Sequence, residues 1–388
     1  MATQDAIGIP FSLAHEQQGF RLIELPSELL DILAGPEPPV WVMPTISSRD
    51  AELLLNLVSL SIKSAEVPSS LDGSPAKPAH AVLCTPTKTY QLRHVQTSNS
   101  VLITQPFEHY PNGKEELRVP GISAIAACTA TLELHLTTDS AVPYLKQALP
   151  IWHPTEAEVI TPPSSQTTRS KHAIFDDIPL SPGECDAAWT HLCAFSHNGA
   201  SFRPSARVRL QLWQALVSAA HAESIDLGSQ FLMADLWKAI ADEGYPQGLV
   251  EAVLRRLGPE EQDIASGWAC IDASRCIAWV GTTMLEVQAE LGTEVLTAQF
   301  LDAWRDSLPE AWRGGAELGA IQVGSSSSLS VIVEALTGAK DVYVLLGATN
   351  ITLKPELAGE PNASKADAGS KLAAGERKWH ERFKKGRR

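Results

Sequence analysis

The spacing of hydrophobic residues changes once along this chain, near residue 175. Before that point apolar residues tend to alternate with polar ones in short runs, which is typical of half-buried strands. After it they recur every three or four positions, which predicts helices. We therefore expect an α+β protein in which an N-terminal antiparallel β-rich domain, forming a partial β-barrel, precedes a helical half.

The run His80–Ile103 carries the clearest strand pattern. Tyr90 and Leu92 fall on one face, with polar residues between them. Thr85-Pro86-Thr87 and Thr97-Ser98-Asn99 are rich in residues that favour turns, so we predict three antiparallel strands in succession. Because too few strands follow to close a barrel, we expect another polypeptide to supply the missing edge.

Other elements of the first half follow from the same patterns. Ser27 is positioned to cap a short amphipathic helix, and Asp139 or Ser140 to cap a helix that ends at Leu149. The predicted elements are strand Phe20–Leu25, helix Glu28–Leu33, strand Leu60–Lys63 and strand Ile122–Leu136.

The second half alternates helices with short β-type runs. The predicted helices are Pro182–Trp189, Ala206–Ala222, Leu232–Ile240, Gly248–Leu257, Thr283–Glu290 and Ala298–Ser307. The predicted hairpin strands are Ala269–Ile271 with Cys276–Val280, and Glu317–Val323 with Ser328–Val333. Helices followed by a small hairpin indicate a C-terminal array of winged-helix domains, in which the regularly spaced tryptophans are expected to form core.

Stretches rich in proline and serine mark the boundaries between domains. The predicted divisions are a loose leader (1–19), a β-rich subunit-assembly domain (20–150), a linker (151–174), a tandem winged-helix region (175–341) and a low-complexity basic tail (342–388).

A formal net charge of −14 argues against a protein that coats nucleic acid along its whole surface. DNA contact must come from a local patch. The tail offers one, with two aromatic residues able to stack on bases; a nuclear-import signal explains the same cluster equally well. The tail residues predicted to bind DNA are Arg377, Lys378, Arg382, Lys384, Lys385 and Arg387. Candidates in the winged-helix region are Arg203, Arg207, Arg209, Lys238, Arg255 and Arg256, but the acidic residues Glu223, Asp226, Asp235, Asp242 and Glu251 lie among them, and the sequence leaves open whether the two signs segregate on the surface.

No pattern of reactive residues predicts catalysis. The positions of Cys185, His191, Cys193 and His197 do not match the spacing of a structural zinc site. There is no phosphate-binding GxxxxGK[ST] loop and no nucleophile elbow. We assign no catalytic, cofactor or metal residues, and we expect a protein that is not an enzyme, uses no cofactor and works in a reducing compartment without crossing a membrane.

Three short sequence motifs in the first half of the chain resemble those of a known protein family. His80-Ala-Val-Leu-Cys-Thr85, Lys88-Thr-Tyr-Gln-Leu-Arg93 and Thr97-Ser-Asn-Ser-Val-Leu102 follow the run Phe20–Leu30 in an order that resembles the Dcc family of sister chromatid cohesion proteins. The resemblance is strong over about Phe20–Leu136 and weaker over Pro182–Val333.

The resemblance implies a nuclear, non-catalytic subunit of an alternative replication factor C clamp loader that helps load PCNA and establish sister chromatid cohesion. Its implied partners are the C-terminal tail of a Ctf-eighteen-type ATPase, a small Ctf-eight-type subunit, the catalytic subunit of DNA polymerase epsilon and DNA, with PCNA contacted indirectly. The open strands fit β-addition by such a partner. The residues expected at the subunit interface are Val82, Leu83, Thr89, Tyr90, Leu92, Val101 and Ile103. The alternative is a winged-helix transcription or chromatin regulator that acts without a clamp loader.

Two segments depart from the family pattern. Val40–Ser59 interrupts the expected passage from helix to strand, and Val342–Lys354 has no counterpart that can be matched. One or both are translated introns or, equally, lineage-specific loops, since surface insertions are well tolerated.

Overall fold

The structure is a computed structural model that describes residues 8–36, 40–42, 59–64, 81–109, 119–154, 169–259, 266–292, 294–321, 343–346 and 350–353. Helices and several sheets are combined, and the described strands close no barrel. The chain divides into two compact units. Unit 1 comprises Met1–Ser205 and Ala219–Ile271, and unit 2 comprises Ala206–Ser218 and Asp272–Arg388.

The secondary-structure elements are numbered in chain order. Those of the first half are β1 (Phe11–Leu13), β2 (Leu22–Glu24), α1 (Ser27–Ala34), β3 (Val40–Val42), β4 (Ser59–Ser64), β5 (Ala81–Cys84), β6 (Thr89–His109), β7 (Val119–Leu136), α2 (Val142–Ala148) and β8 (Ile151–Trp152).

The second half is mainly helical. Its elements are α3 (Lys171–Asp177), α4 (Pro182–His191), β9 (Phe195–His197), β10 (Ala200–Pro204), α5 (Ala206–Ala222), β11 (Phe231–Leu232), α6 (Met233–Ile240), α7 (Gln247–Leu257), β12 (Trp268–Ala269), α8 (Ala273–Leu291), β13 (Val295–Leu296), α9 (Thr297–Asp306), β14 (Tyr343–Leu346) and β15 (Asn350–Leu353). Short 3-10 turns occupy Ala241–Glu243, Glu310–Gly315 and Leu318–Ile321.

The main sheet has the order β1-β7-β6-β5-β4-β3, with β2 also paired to β7. β4, β5, β6 and β7 run antiparallel, while β1, β2 and β3 pair in parallel. Alternation of side chains turns one face of this sheet toward α1. The resulting core contains Leu29, Leu60, Leu83, Tyr90 and Leu134.

The prediction of three strands over His80–Ile103 is wrong in one respect. Thr97-Ser98-Asn99 does not reverse the chain, because β6 continues through it for 21 residues. The pairing with β7 shifts register between Gln96 and Val101, so the turn-forming residues form a bulge within one strand. The hydroxyl of Thr97 donates to the backbone oxygen of Asn99 at 2.6 Å, which stabilises this irregular segment.

Near the N-terminus the described residues include elements that the sequence pattern did not predict. β1 lies inside the predicted leader and pairs with β7. β3 forms the first three residues of the segment interpreted as an insertion and pairs with β4; residues 43–58 lie outside the described part of the chain. Ser27 is the first residue of α1 and makes no capping hydrogen bond, so its predicted capping role is wrong.

The predicted hairpin around Asp272–Arg275 is also wrong. Asp272 caps the 19-residue helix α8 by accepting a hydrogen bond from the Arg275 amide at 2.9 Å, and Cys276–Val280 lies within that helix. The β-branched and aromatic residues of Cys276–Val280 favour a strand. The buried residues of α8, however, recur at helical spacing, and their packing determines the structure.

The predicted final hairpin differs as well. Leu318–Ile321 is a 3-10 turn, and Ser328–Val333 lies outside the described residues. Strands β14 and β15 form a hairpin further along, in the segment that resembled no family sequence. Ile351 and Leu353 of this hairpin are buried in unit 2.

Two three-stranded sheets share one strand order, although β8 pairs in parallel with β10 whereas β13 pairs antiparallel with β15. Their orders are β8-β10-β9 and β13-β15-β14, so in each the last strand in sequence lies in the middle. β11 and β12 form a two-stranded pair. Because β8 pairs with β10 and helix α2 packs against α4, the residues just before the predicted linker and its first two residues belong structurally to the helical region.

Candidate subunit interface

Over most of the length of β6, one edge pairs with no strand in the described part of the chain. β5 pairs with β6 only at Thr89, Tyr90 and Gln91, near the start of the strand. From Arg93 to Thr104, no other described strand pairs with this edge, while β7 occupies the opposite edge. A row of backbone donors and acceptors of this length is a template for another extended chain.

Large apolar side chains lie exposed on both sides of the β6–β7 ribbon. On β6, Val101 and Leu102 are 51% and 43% exposed. On the far side of β7, Phe11 and Leu13 of β1 are 56% and 67% exposed. Val101 and Leu102 thus lie on the strand with the open edge, and Phe11 and Leu13 lie on the other margin of the ribbon. Exposed apolar side chains on both margins indicate a surface that another protein covers.

The residues predicted for the interface separate into two groups. Val82, Leu83, Thr89 and Tyr90 are buried within unit 1 itself. The remaining three, Leu92, Val101 and Ile103, are half-buried or exposed on β6. The available surface is therefore the distal part of the strand, beyond the core that its first residues form.

Leu102, Phe11 and Leu13 are part of this exposed surface, and the sequence prediction missed them. Phe11 and Leu13 alternate around Ser12, which is the spacing of a strand. That run is only three residues long, too short to be distinguished from a loose leader without the pairing to β7.

The base of the ribbon is fixed by polar contacts. Lys88 donates to Glu28 Oε2 at 2.5 Å, and Tyr90 donates to the same atom at 3.3 Å. The Lys88 ammonium holds the pKa of Glu28 below its usual value, and Glu28 raises the pKa of Lys88. These contacts join α1 to the first residues of β6, so the open edge extends from a fixed base.

The cationic residues considered for DNA contact in the winged-helix region differ in how exposed they are and in whether they form ion pairs. Arg209 is ion-paired with Glu286, and Arg256 is buried. Lys238 lies 3.8 Å from Asp235 on the same helix. Arg207 and Arg255 are exposed. All six tail residues predicted to bind DNA lie outside the described part of the chain.

None of the six cysteines forms a disulfide, and most are buried. Burial raises the pKa of Cys84, and raises the pKa of Cys185 to about 12, so both side chains are neutral thiols rather than nucleophiles. Among the described residues, no group of histidine, cysteine or acidic side chains is arranged to hold a metal ion. Nor is any described helix both long enough and apolar enough to span a bilayer.

Most tryptophans of the helical half are core residues. Trp189, Trp213, Trp279 and Trp304 are buried, as the spacing predicted. Trp268 differs, being 45% exposed on β12.

Comparison with known protein families gives a match for residues 20–324, which include the open sheet and most of the helical region. The matching family is described as sister chromatid cohesion protein Dcc1. This chain belongs to the Dcc1 family. No curated protein matches the chain.

Membership in the Dcc1 family assigns the chain a role in sister chromatid cohesion. The match confirms the family suggested by the three short sequence motifs of the β5–β6 region. It ends at residue 324, before β14 and β15, and thus does not include the hairpin that completes the sheet of unit 2.

Proposed function

We propose that this protein is a non-catalytic, nuclear subunit of an alternative replication factor C clamp loader. In this complex it helps load PCNA at replication forks and thereby supports cohesion between sister chromatids. The ATPase activity belongs to a Ctf-eighteen-type partner, whose C-terminal tail joins this chain together with a small Ctf-eight-type subunit.

The observation that carries this proposal is the open edge of β6. A member of the Dcc1 family with no grouped metal ligands among its described residues, but with an unpaired strand edge and exposed apolar margins, is suited to assembly. The partner strands would pair along Arg93–Thr104 and cover Val101 and Leu102, completing a barrel that this chain leaves open.

Co-expression tests the assembly role directly. We expect the full chain to form a stable complex with the small Ctf-eight-type subunit and the ATPase tail, measured by size-exclusion chromatography with light scattering. A chain that stays alone with both partners present, yet binds a defined DNA sequence, would instead support a winged-helix transcription or chromatin regulator.

We further propose that the helical region contains three winged-helix modules. The order helix, strand, two helices or turns, then a hairpin occurs first in α2, β8, α3, α4, β9 and β10, and again in α8, β13, α9, the following 3-10 turns, β14 and β15. Between them lie α5, β11, α6, α7 and β12. The shared strand order of the outer two sheets supports this interpretation.

These modules would contact DNA polymerase epsilon and DNA, with the basic tail adding phosphate contacts. Pull-down of the polymerase catalytic subunit by the assembled complex, but not by the barrel partners alone, is the expected result. Equal recovery without this chain would argue against a direct polymerase contact.

A further inference from the structure

Two helices occupy the position that reads DNA in many winged-helix proteins, namely the helix directly before the hairpin. They are α4, which precedes β9 and β10, and α7, which precedes β12. We propose that both are docking helices that join successive parts of unit 1, and that neither enters a DNA groove. This inference rests on the proposed winged-helix modules.

The N-terminus of α4 is packed on the turn between β5 and β6. The Gly183 amide donates to the Pro86 oxygen at 2.8 Å. A Cβ at Gly183 would lie 2.9 Å from that oxygen and 3.1 Å from Thr87 Cα, so only glycine allows this approach. The backbone of the sheet region thus occupies the first turn of α4.

A buried polar network strengthens the same contact. Thr89 of β6 donates its hydroxyl hydrogen to Glu184 Oε2 at 2.5 Å, and the Ser181 amide donates to Thr89 Oγ1 at 2.7 Å. Ser181 and Glu184 also form a capping box at the start of α4. The groups that a DNA phosphate would use at a helix N-terminus are therefore already engaged.

The exposed part of α4 is also unsuited to DNA. Its one fully exposed charged residue is Asp186, which lies 2.5 Å from Lys171 of α3. A negative side chain at this position would repel a phosphate backbone.

Helix α7 buries one broad face and leaves a narrow row of residues facing solvent. Of its 11 residues only Gln247 and Arg255 are exposed. Its N-terminal turn packs on β9 of the preceding module, where a Cβ at Gly248 would lie 3.1 Å from the Ser196 oxygen. Its solvent-facing row is Gln247, Glu251 and Arg255 at four-residue spacing, and Gln247 donates to Glu251 Oε1 at 2.8 Å. The carboxylate in the middle of this row would repel a phosphate backbone, so α7 is unsuited to entering a DNA groove.

Hydrogen exchange of the full chain tests the docking of α4. We expect Gly183→Val to raise amide exchange about tenfold in both Thr85–Lys88 and α4, because the new side chain overpacks the contact. Gly19→Val is the matched control, since a Cβ added at Gly19 would have no atom within 4 Å. Unchanged exchange in Thr85–Lys88 would overturn the docking of α4; if Gly183→Val fails to fold, Thr89→Val serves the same comparison.

DNA affinity tests α7. We expect Arg255→Glu to change the dissociation constant for a primer–template duplex by less than about twofold, since one exposed charge adds little. A loss of about tenfold would overturn the assignment of α7. If the wild-type chain binds no DNA at all, the proposed DNA contact is wrong. Hydrogen exchange then tests α7 by itself. Gly248→Val should raise amide exchange over Gly248–Leu257 if α7 is docked on β9, and unchanged exchange would show that it is not.

Discussion

Lys63 Nζ donates a hydrogen bond to the backbone oxygen of Phe175 at 2.8 Å, across 112 positions of sequence. The same ammonium donates to the oxygens of Ile178 and Leu180 at 3.1 and 3.0 Å. One side chain of β4 thereby donates to three carbonyls at and beyond the C-terminus of α3, the end of a helix at which a positive charge is favourable.

Lys63→Met should lower the free energy of unfolding by about 2 kcal/mol, because methionine keeps much of the stem and removes the charged donor. Chemical denaturation with circular dichroism measures this. Lys238→Met is the control, since Lys238 is 72% exposed and its contact with Asp235 is weak. Equal effects of the two substitutions would contradict the importance of the Lys63 contacts.

Gly281→Ala should destabilise unit 2. A Cβ at this position on α8 would lie 2.6 Å from Trp304 Cζ2 and 2.9 Å from Ile321 Cδ1, in a fully packed core. We expect a loss of about 1–3 kcal/mol, the usual cost of overpacking. Gly319→Ala, with no atom within 4 Å, should be nearly neutral in the same thermal unfolding experiment.

Cys185 should make stability fall at alkaline pH. Burial raises its pKa to about 12 from an ordinary value of 9.0, so the unfolded chain loses this proton first. The stabilisation from the buried neutral thiol is fully present below about pH 9 and is lost as the pH rises toward 12. The loss of unfolding free energy is about 1 kcal/mol at pH 10. Cys185→Ala should reduce the difference in unfolding free energy between about pH 8 and pH 10.

Thiol labelling provides an independent check on burial. Cys270 is the one cysteine that is not buried, so a maleimide should modify it first in the native protein. Mass spectrometry of digested samples would locate the label. Early modification of Cys185 or Cys276 would be inconsistent with their burial.

Val101→Asp should weaken assembly without unfolding the chain. Val101 is half exposed on the open edge of β6, and a charge there opposes burial by a partner strand. We expect at least about a tenfold loss of affinity for the barrel partners, measured by titration calorimetry, with little change in Tm. Leu345→Asp on β14, where the side chain is 52% exposed, is the matched control.

Removal of residues 375–388 tests the basic tail. If its cations contact phosphates, the truncated chain should bind DNA more weakly and with a smaller slope of log affinity against log salt. The same affinity and slope in both chains would instead leave nuclear import as its function.

The sequence predicted several helices from the hydrophobic period. Ala206–Ala222 matches α5, and Pro182–Trp189 covers all but the last two residues of α4. It failed where a local preference was overruled by packing, as at Cys276–Val280 within α8. The turn-forming Thr97–Ser100 likewise became a bulge because β7 pairs with β6 on both sides of it.

The candidate interface was only partly accessible to sequence reasoning. Alternation identified Leu92, Val101 and Ile103 as strand residues, but it could not show that Leu83 and Tyr90 are covered by α1 and the rest of the sheet. That distinction depends on contacts between distant segments. The contacts of Lys63 with Phe175 and of Thr89 with Glu184 were missed for the same reason, since the partners are 112 and 95 positions apart.

The hairpin of β14 and β15 sets a practical limit on how this gene can be spliced or shortened. Ile351 and Leu353 are buried, and β15 pairs with β13 while contacting α8 and α9. A transcript or recombinant fragment that stops at residue 341 would remove two strands of a three-stranded sheet and expose the apolar sides of both helices. Exons encoding Tyr343–Leu353 are therefore expected to be retained in every messenger RNA that yields a folded C-terminal unit.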